Sequence, residues 1–420
     1  MFRLLIWLRD RRNRFWVTPS LSVVAAVAVC LVVWLADESM DPDSVPKVST
    51  DALDGLLAII GSSMLAVATF SLGIVVSATA SVASGATPRA TELVMGDDGT
   101  RRAIGAFIGA FVYAVVAQTA LSFDLYGPVG QFLLLVATLL VLGYLVARLV
   151  LWVRTVSTLG RLGDTITRLE EAARDGLHRH ADQPRLGAAP AVGSTPAGGA
   201  VRCERAGYLT HLDVASLQAL GAELDATIHV RVRPGAFVDP AHPLAIVARA
   251  GGGPERDELD GETAARVRGA FVLGSARSFD QDPRFGIMAL SEVGQRALSP
   301  AVNDPGTAIQ VASVITSLLV ELSQRLRSGG SADGRELSFD RVTMPDLDEA
   351  DLVEDGFAAM ARDGAANMDV AVRLQKLLAV VADNGDDEMR EAARRQAAVA
   401  WQRAEEAMTF DHDREVVEAV

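Results

Sequence analysis

Four long stretches of this sequence contain no charged residue, and they constrain the fold more than any other feature. They cover residues 15–36, 55–88, 103–123 and 125–147. At about 1.5 Å of rise per residue, each is long enough to cross a hydrocarbon layer roughly 30 Å thick as one helix. The sequence therefore predicts an integral membrane protein with four transmembrane helices.

The apolar residues are concentrated before residue 150, although the whole chain of 420 residues is 50% hydrophobic. The remainder has ordinary polarity and is long enough for one or two soluble domains. We therefore expect a membrane α-helical fold, in which residues 1–149 form a four-helix transmembrane module. A cytoplasmic α+β region, made of a small β-module and a helical domain, is expected to follow.

The net charge of the chain is −14, and the last 91 residues hold 22 acidic and 10 basic side chains. Because phosphate binding requires the opposite sign of charge, a nucleic-acid partner is not expected. One of the two cysteines, Cys30, lies in the first membrane run, and Cys203 lies in the tail. A disulfide framework is therefore not expected either.

Arginine is distributed asymmetrically around the four runs. Residues 1–14 contain five arginines, whereas the segment after the first run is mainly acidic. Further arginines follow the second and fourth runs, and the short segment around Asp124 has none. Because short loops rich in arginine stay on the cytoplasmic side, both termini are predicted to be cytoplasmic.

The second run carries a stripe of small or hydroxylated residues at helical spacing. Its members are Ser62, Ala66, Thr69, Gly73, Ser77, Ser81 and Ser84. Small residues let helices approach closely in lipid, so the stripe could be a packing surface. Alternatively, such stripes from several subunits could line a narrow polar path, with hydroxyl groups in place of water. Both interpretations remain open at the level of the sequence.

The four runs differ from those of ion-coupled transporters, because none contains Asp, Glu, Lys, Arg or His. Coupled transport usually requires an ionisable group inside the membrane, so secondary transport is disfavoured. In the third run, Gly105 and Gly109 form a small-xxx-small pair. We interpret this pair as a helix-packing site.

The tail divides into four segments by composition. Residues 150–181 have apolar positions every three or four residues and predict an amphipathic helix. Residues 182–200 are rich in Pro and Gly and predict a flexible linker. Residues 201–250 alternate in strand fashion and predict a small β-rich module. Residues 260–420 predict a mainly helical domain, with helices at 262–276, 284–298, 305–328, 348–362, 365–383 and 386–409, and with Asp304 as the N-cap of the third.

Two motifs in the tail are distinctive. One runs from Arg277 to Gly286 and the other, which contains Ser-Pro-Ala-Val-Asn-Asp-Pro, runs from Ala297 to Ala308. With the segment Phe107 to Tyr113, they resemble an uncharacterised bacterial family of predicted membrane proteins (domain of unknown function two-two-five-four). The resemblance spans nearly the whole chain and implies a multi-pass protein of the bacterial plasma membrane, with no activity to carry over.

The same motifs contain the densest polar group of the helical domain. It consists of Arg277, Asp280, Asp282, Arg284, Asn303 and Asp304. These side chains could converge on a cation or an anionic ligand if the two loops are neighbours in space. Turns and helix caps use the same residue types, so a purely structural role is the alternative.

The sequence contains no phosphate-binding loop, zinc-protease motif, nucleophile elbow or dinucleotide fingerprint. His178, His180 and Asp182 resemble a metal cluster only by composition. We therefore expect no enzymatic activity, no cofactor and no bound metal.

Two functions are compatible with these features. The first is a channel-like or permeation-related homo-oligomer whose cytoplasmic tail senses a condition in the cell. The alternative is a membrane-anchored scaffold or sensor whose tail binds a partner. The lipid bilayer and further copies of the chain are the expected partners, and any ion or cytoplasmic partner is not identified by the sequence.

Overall fold

The structure is a computed structural model that describes residues 11–37, 45–91, 93, 98–191, 193, 197–249, 259–328 and 338–420. The chain divides into two compact units, Met1–Thr165 and Ile166–Val420. The first contains the four uncharged runs, and the second contains most of the predicted tail.

In the described part of the first unit, one long helix covers most of each uncharged run. These helices are α1 (Arg11–Asp37), α2 (Thr50–Gly85), α3 (Asp98–Ser122) and α4 (Pro128–Thr158). A short 3-10 turn, Pro88–Ala90, follows α2. Helix α2 has 36 residues, so it is about 54 Å long and exceeds the thickness of a hydrocarbon layer.

Helix α3 is the central helix of this unit, and α1 packs closely against it. A Cβ atom added at Gly109 would lie 3.0 Å from Ser22 Cβ, and one added at Gly105 would lie 3.1 Å from Ser22 Oγ. The two glycines therefore form the close helix contact that their spacing predicts. On another side of α3, the hydroxyl of Tyr113 lies 2.9 Å from Thr138 Oγ1 of α4.

The end of α1 is tied to the start of α4 by a carboxylate. Asp37 accepts hydrogen bonds of 2.6 Å from the backbone N–H groups of Gly127 and Gly130. These donors belong to the first turn of α4, where backbone N–H groups have no partner within the helix. The negative charge is also favourable there because the helix dipole is positive at this end.

Five described helices are long and apolar enough to cross a membrane. Four of them are the helices of the first unit. The fifth, Pro305–Ser328, belongs to the second unit and was not among the predicted spans. Length and composition therefore do not by themselves establish that the protein has four transmembrane helices.

The second unit contains eight described strands and nine helices. A helix, α5 (Leu162–Asp182), leads into it, and a 3-10 turn, Pro184–Gly187, comes next. The following elements are β1 (Ala188–Pro190), β2 (Gly199–Arg202), β3 (Gly207–Leu212), α6 (Val214–Glu223), β4 (Ala226–Val230), β5 (Phe237–Val238), β6 (Pro243–Arg249), α7 (Gly261–Gly269) and β7 (Phe271–Gly274). The chain continues with α8 (Pro283–Ala297), α9 (Pro305–Ser328), β8 (Phe339–Met344), α10 (Glu349–Asp363), α11 (Met368–Asn384), α12 (Asp387–Ala407) and α13 (Asp411–Glu418).

The strands form two sheets. The larger has the order β1-β8-β4-β6-β2, with parallel pairing on both sides of β8 and antiparallel pairing elsewhere. The smaller is an antiparallel sheet of order β5-β3-β7. Buried residues of both sheets and of α6 share one core, which includes Leu209, Leu217 and Ile228, all fully buried.

Three predictions about the tail are corrected by the structure. The helix predicted over 150–181 is interrupted: α4 ends at Thr158, Gly160 has φ +83°, and α5 begins at Leu162. The predicted flexible linker contains β1, which pairs with β8, and Ala188 is buried because it reaches the sheet core. The β-module is not confined to 201–250, since the sheets also include β1, β7 and β8.

The helical prediction for the rest of the tail is largely confirmed. Helix α8 covers 283–297, and α9 to α12 lie within a few residues of their predicted bounds. The segment predicted as a helix over 262–276 is divided into α7 and the strand β7. Each of α8, α9 and α10 contributes fully buried side chains. Examples are Leu290, Ile315 and Phe357, which have no exposed surface.

Both cysteines are free and buried. Cys30 lies in the core of the first unit with 4% of its surface exposed, and Cys203 lies in the sheet core with 5% exposed.

The contact at Gly109 makes a testable prediction. Gly109→Leu should lower the thermal stability of the full-length protein in detergent, because the added side chain has no space between α1 and α3. Gly143→Leu on α4 is the matched control, since a Cβ at Gly143 meets no atom within 4 Å. Equal unfolding temperatures for the two variants, followed by tryptophan fluorescence, would contradict the packing described here.

Candidate functional site

The six residues of the predicted polar cluster do not form one site. Asp282 caps the N-terminus of α8 by accepting a 3.1 Å hydrogen bond from Arg284 N–H. The backbone N–H of Asp304 donates to the carbonyl of Ala297, at the other end of α8. A helix of 15 residues separates these ends by about 21 Å. The two loops are therefore not neighbours in space, and the condition under which the six side chains could share one ligand is not met.

Asp282 forms a buried ion pair with Arg277. The Nε and Nη2 atoms of Arg277 donate to the carboxylate at 2.6 and 2.9 Å. Burial raises the pKa of Asp282, and the hydrogen bonds from Arg277 oppose that effect. The carboxylate also faces Gly235, which has φ +96° and where a Cβ would lie 2.3 Å from Asp282 Oδ2. Asp282 therefore fixes the turn after β4 against the start of α8.

The remaining members have structural partners. Arg284 pairs with Asp351 and Asp355 and so joins α8 to α10. Asp304 caps α9, because it accepts from Thr307 N–H at 3.1 Å and from the Thr307 hydroxyl at 2.6 Å. Asn303 has φ +51° in the preceding turn. The helix-capping alternative thus accounts for Asp304.

A cavity of about 350 Å³ lies beside Asp280, close to the N-terminal end of α8. Four chain segments line it: the C-terminal part of α5, the 3-10 turn that follows α5, the turn after β4 and the segment that leads into α8. The lining residues are Gly176, Arg179, His180, Asp182, Gln183, Leu186, Arg233, Asp280, Gln281 and Pro283. Of the six residues of the predicted polar cluster, only Asp280 lines this cavity.

Close packing of α5 on α8 positions one wall of the cavity. A Cβ added at Gly286 would lie 2.5 Å from Ala173 Cα, and one at Gly176 would lie 3.6 Å from Pro283 Cα. These glycines let the two helices approach at backbone distance. Arg179 and His180, one turn beyond Gly176, are thereby held over the loop that carries Asp280.

Arg233 is the most buried cation of the cavity. Its Nη1 donates to the carbonyl of Pro345 at 2.6 Å, and it forms no ion pair with any carboxylate in the described parts of the chain. Burial lowers the pKa of Arg233 to about 10, although Asp346 and Asp282 oppose the shift. A guanidinium in this setting would be stabilised by an anion.

His180 lies beside Arg233. Burial lowers its pKa to about 4, and the positive charge of Arg233 adds to the effect. The imidazole is therefore neutral near pH 7, with one N–H group to donate and one nitrogen to accept. Arg179 is exposed, donates to the carbonyl of Phe279 at 3.0 Å and adds a second guanidinium.

The acidic residues of the cavity are engaged elsewhere. Asp182 pairs with Arg325 at 2.9 Å, and Asp280 lies 3.5 Å from His211 Nε2. The positive groups Arg179 and Arg233 are thus left to face the cavity. Together with the side-chain amide of Gln183, they suit a small anion that also carries hydrogen-bonding groups.

The backbone at the rim of the cavity is strained. Arg185 and Leu186 have φ of +56° and +54°, a left-handed conformation that non-glycine residues rarely adopt. Arg185 is buried and is held by a 2.5 Å hydrogen bond to Asp346. Strain of this kind persists only where surrounding contacts impose it, and it is concentrated at functional sites.

The three residues that resemble a metal cluster have separate partners. His178 lies 2.7 Å from Glu321, Asp182 pairs with Arg325, and His180 faces the cavity. Within the described residues, no group of three or more His, Cys, Asp or Glu is arranged to hold a metal ion.

The stripe on α2 lies on its exposed face. Its candidate pore or packing residues are all exposed in this chain: Ser62, Thr69, Gly73, Ser77 and Ser81. The residues that α2 buries lie on the opposite face and include Leu57, Ser71 and Val75. Hydroxyl groups of the stripe donate to their own helix, as Thr69 does to the carbonyl of Leu65 at 2.9 Å. The stripe is therefore not a packing surface within one chain.

The chain belongs to the family described as predicted membrane protein (DUF2254), which matches residues 12–380. It is also similar to an uncharacterized protein of Mycobacterium bovis and to one of Mycobacterium tuberculosis, each 30% identical over 214 residues. The match covers 50% of this chain and 40% of the length of each relative. No solved structure matches the chain. The family resemblance of the two tail motifs is thus confirmed.

The two acidic caps of the motifs should differ in their effect on stability. Asp282→Ala leaves the part-buried guanidinium of Arg277 without its carboxylate partner and should lower the free energy of unfolding by about 3 kcal/mol. Asp304→Ala removes a partly exposed cap and should cost about 1 kcal/mol. Chemical unfolding of the full-length protein in detergent measures both. A smaller loss for Asp282→Ala than for Asp304→Ala would contradict the assigned roles.

Proposed function

We propose that this chain is a four-span protein of the plasma membrane that assembles into a permeation-related homo-oligomer, with both termini in the cytoplasm. Its second unit binds a small anion in the cavity and thereby senses the cytoplasm. The observation that carries this proposal is the exposed small-residue face of α2. In this proposal the cavity binds its ligand without converting it.

The proposal places α9 outside the membrane. Its buried face contributes Val311, Ile315 and Leu319 to the core of the second unit. The opposite face carries charges: Glu321 pairs with Arg174, and Arg325 pairs with Asp182. A charged face of this kind is costly in hydrocarbon and is typical of a helix that covers a soluble core. This argument supports four spans rather than five.

The exposed face of α2 supports assembly with further copies. Large apolar residues cover most lipid-facing surface of the first unit, for example Leu140 with 70% of its surface exposed. The stripe on α2 instead presents Gly73 and hydroxylated residues, and a Cβ at Gly73 meets no atom within 4 Å. Small residues permit close approach of another helix, and hydroxyl groups can line a polar path.

The cavity supports a sensing role. An anion there would contact α5 through Arg179 and His180 and the turn after β4 through Arg233. The two segments belong to separate elements, so the ligand would favour the arrangement in which α5 and the turn after β4 are close. The strained turn at Arg185 and Leu186 lies beside them and could change conformation with occupancy.

A membrane-anchored sensor is the second candidate. In this function the transmembrane helices serve only as an anchor. Ligand binding in the cavity of the second unit changes how that unit binds a partner protein. The cavity favours this function independently of α2, because all of its lining residues belong to the second unit. A test of ion flux separates the two candidates.

Flux through reconstituted protein should depend on Thr69. Thr69→Leu should reduce ion flux into liposomes several-fold, because it places a larger apolar side chain on the proposed path. Thr119→Leu on α3 is the matched control, since Thr119 is also exposed and also donates to its own helix, at 2.7 Å to Val115. Absence of flux for the wild type over a range of ions and tensions would reject permeation and favour the sensor.

Anion binding should depend on Arg233. Sulfate is a suitable probe because its charge is constant above pH 4. Arg233→Gln should weaken sulfate binding to the full-length protein about tenfold, which is the effect of losing one charged hydrogen bond of roughly 1.5 kcal/mol. Arg231→Gln is the control, because Arg231 is exposed and does not line the cavity. Unchanged binding in Arg233→Gln would reject the sensing site.

The pH dependence of sulfate binding should report on His180. The pKa of His180 is about 4 in the free protein, and a bound anion would raise it because the imidazolium is then paired. Binding therefore takes up a proton, and the affinity should increase as the pH falls from 7 to 5. His180→Gln should remove this increase. Equal pH dependence in the variant, measured by equilibrium dialysis, would exclude His180 from the site.

A further inference from the structure

A second cavity lies in the membrane unit, between the first turns of α3 and the last turns of α4. Its volume is about 300 Å³. Three arginines line it, Arg102 from α3 and Arg148 and Arg154 from α4, beside Leu151 and Trp152. This cavity is separate from the sensing site and does not depend on the function proposed above.

The two arginines that α4 contributes to the cavity have no acidic partner in the described ranges. Arg148 and Arg154 form no ion pair with any acidic side chain in the described ranges, and the Nε of Arg148 is buried without a hydrogen-bond partner there. The guanidinium of Arg148 lies over the ring of Tyr144, with its Cζ atom 5.9 Å from the ring centroid. A buried guanidinium nitrogen without an acceptor is costly, so an incoming anionic oxygen would be favoured.

The cavity lies at the expected depth of lipid phosphates. Helix α4 begins at Pro128, so Arg148 is about 30 Å along it, which is the thickness of the hydrocarbon layer. Arg102 directly precedes the uncharged run of α3, and Arg148 directly follows the uncharged run of α4. Both helices therefore present their arginines at the same membrane boundary.

Apolar residues next to the arginines distinguish a lipid from a soluble anion. Val150, Leu151 and Val153 of α4 are 60%, 50% and 58% exposed. They provide a surface for acyl chains directly beside the three guanidinium groups. A free phosphate ester would use the arginines alone and leave this surface unoccupied.

We propose that this cavity binds the phosphate of an anionic phospholipid headgroup, with the acyl chains packed along the apolar side of α4. Basic pockets between transmembrane helices on the cytoplasmic side are suited to this ligand. The planar guanidinium groups of Arg148 and Arg154 can donate paired hydrogen bonds to phosphate oxygens.

The test uses the full-length protein in detergent with dioleoyl phosphatidylglycerol or dioleoyl phosphatidylcholine, and counts retained lipid by native mass spectrometry. We expect the wild type to retain phosphatidylglycerol preferentially. Arg154→Gln, an exposed position that should not affect folding, should reduce retention about fivefold, and Arg148→Gln combined with it should reduce retention further. Arg161→Gln, an exposed arginine outside the cavity, should retain lipid like the wild type.

Three results would overturn the proposal. They are equal retention of the two lipids by the wild type, unchanged retention in Arg154→Gln, and displacement of the lipid by millimolar glycerol 3-phosphate, which would assign the site to a soluble phosphate ester. Arg148→Lys provides a check on folding, because it keeps the charge and should retain more lipid than Arg148→Gln.

Discussion

The fold depends on the requirement that backbone polar groups be hydrogen-bonded where water is absent. In the first unit this requirement leaves helices as the structure for the uncharged runs. Where a helix ends, its free N–H groups need another partner. Asp37 provides it for α4, and this single carboxylate also fixes where α1 ends relative to α4. The remaining contacts of the unit are set by how closely small residues allow these helices to approach.

The helices of both units could be predicted because their signals are local. An uncharged run, a capping residue such as Asp304 and a regular apolar face all act within a few residues. The strands at the edges of the second unit lack such signals. Strand β1 has three residues and ends at Pro190, and β7 follows a helix without a turn motif. Their partners are distant in sequence, for example β8 for β1, so only the assembled sheet makes them strands.

The cavity of the second unit could be predicted only in part. Asp280 belongs to a dense polar motif of the sequence, and it is the member of that motif that lines the cavity. The same criterion wrongly added Asn303 and Asp304, because a whole helix separates them from Asp280 in space. Arg233 was missed because an arginine before Pro-Gly is typical of an ordinary turn, and His180 because it was grouped with its sequence neighbours. Only the folded structure shows that both residues line the cavity, where burial lowers the pKa of each.

The two buried cysteines make this chain convenient for spectroscopy. Cys30 and Cys203 are shielded within different cores, so thiol reagents would reach an introduced surface cysteine far faster than either native one. Nitroxide or fluorescent labels could therefore be attached at chosen pairs of positions without first replacing the native thiols. Distances measured between such labels would determine the arrangement of the two units in a lipid bilayer.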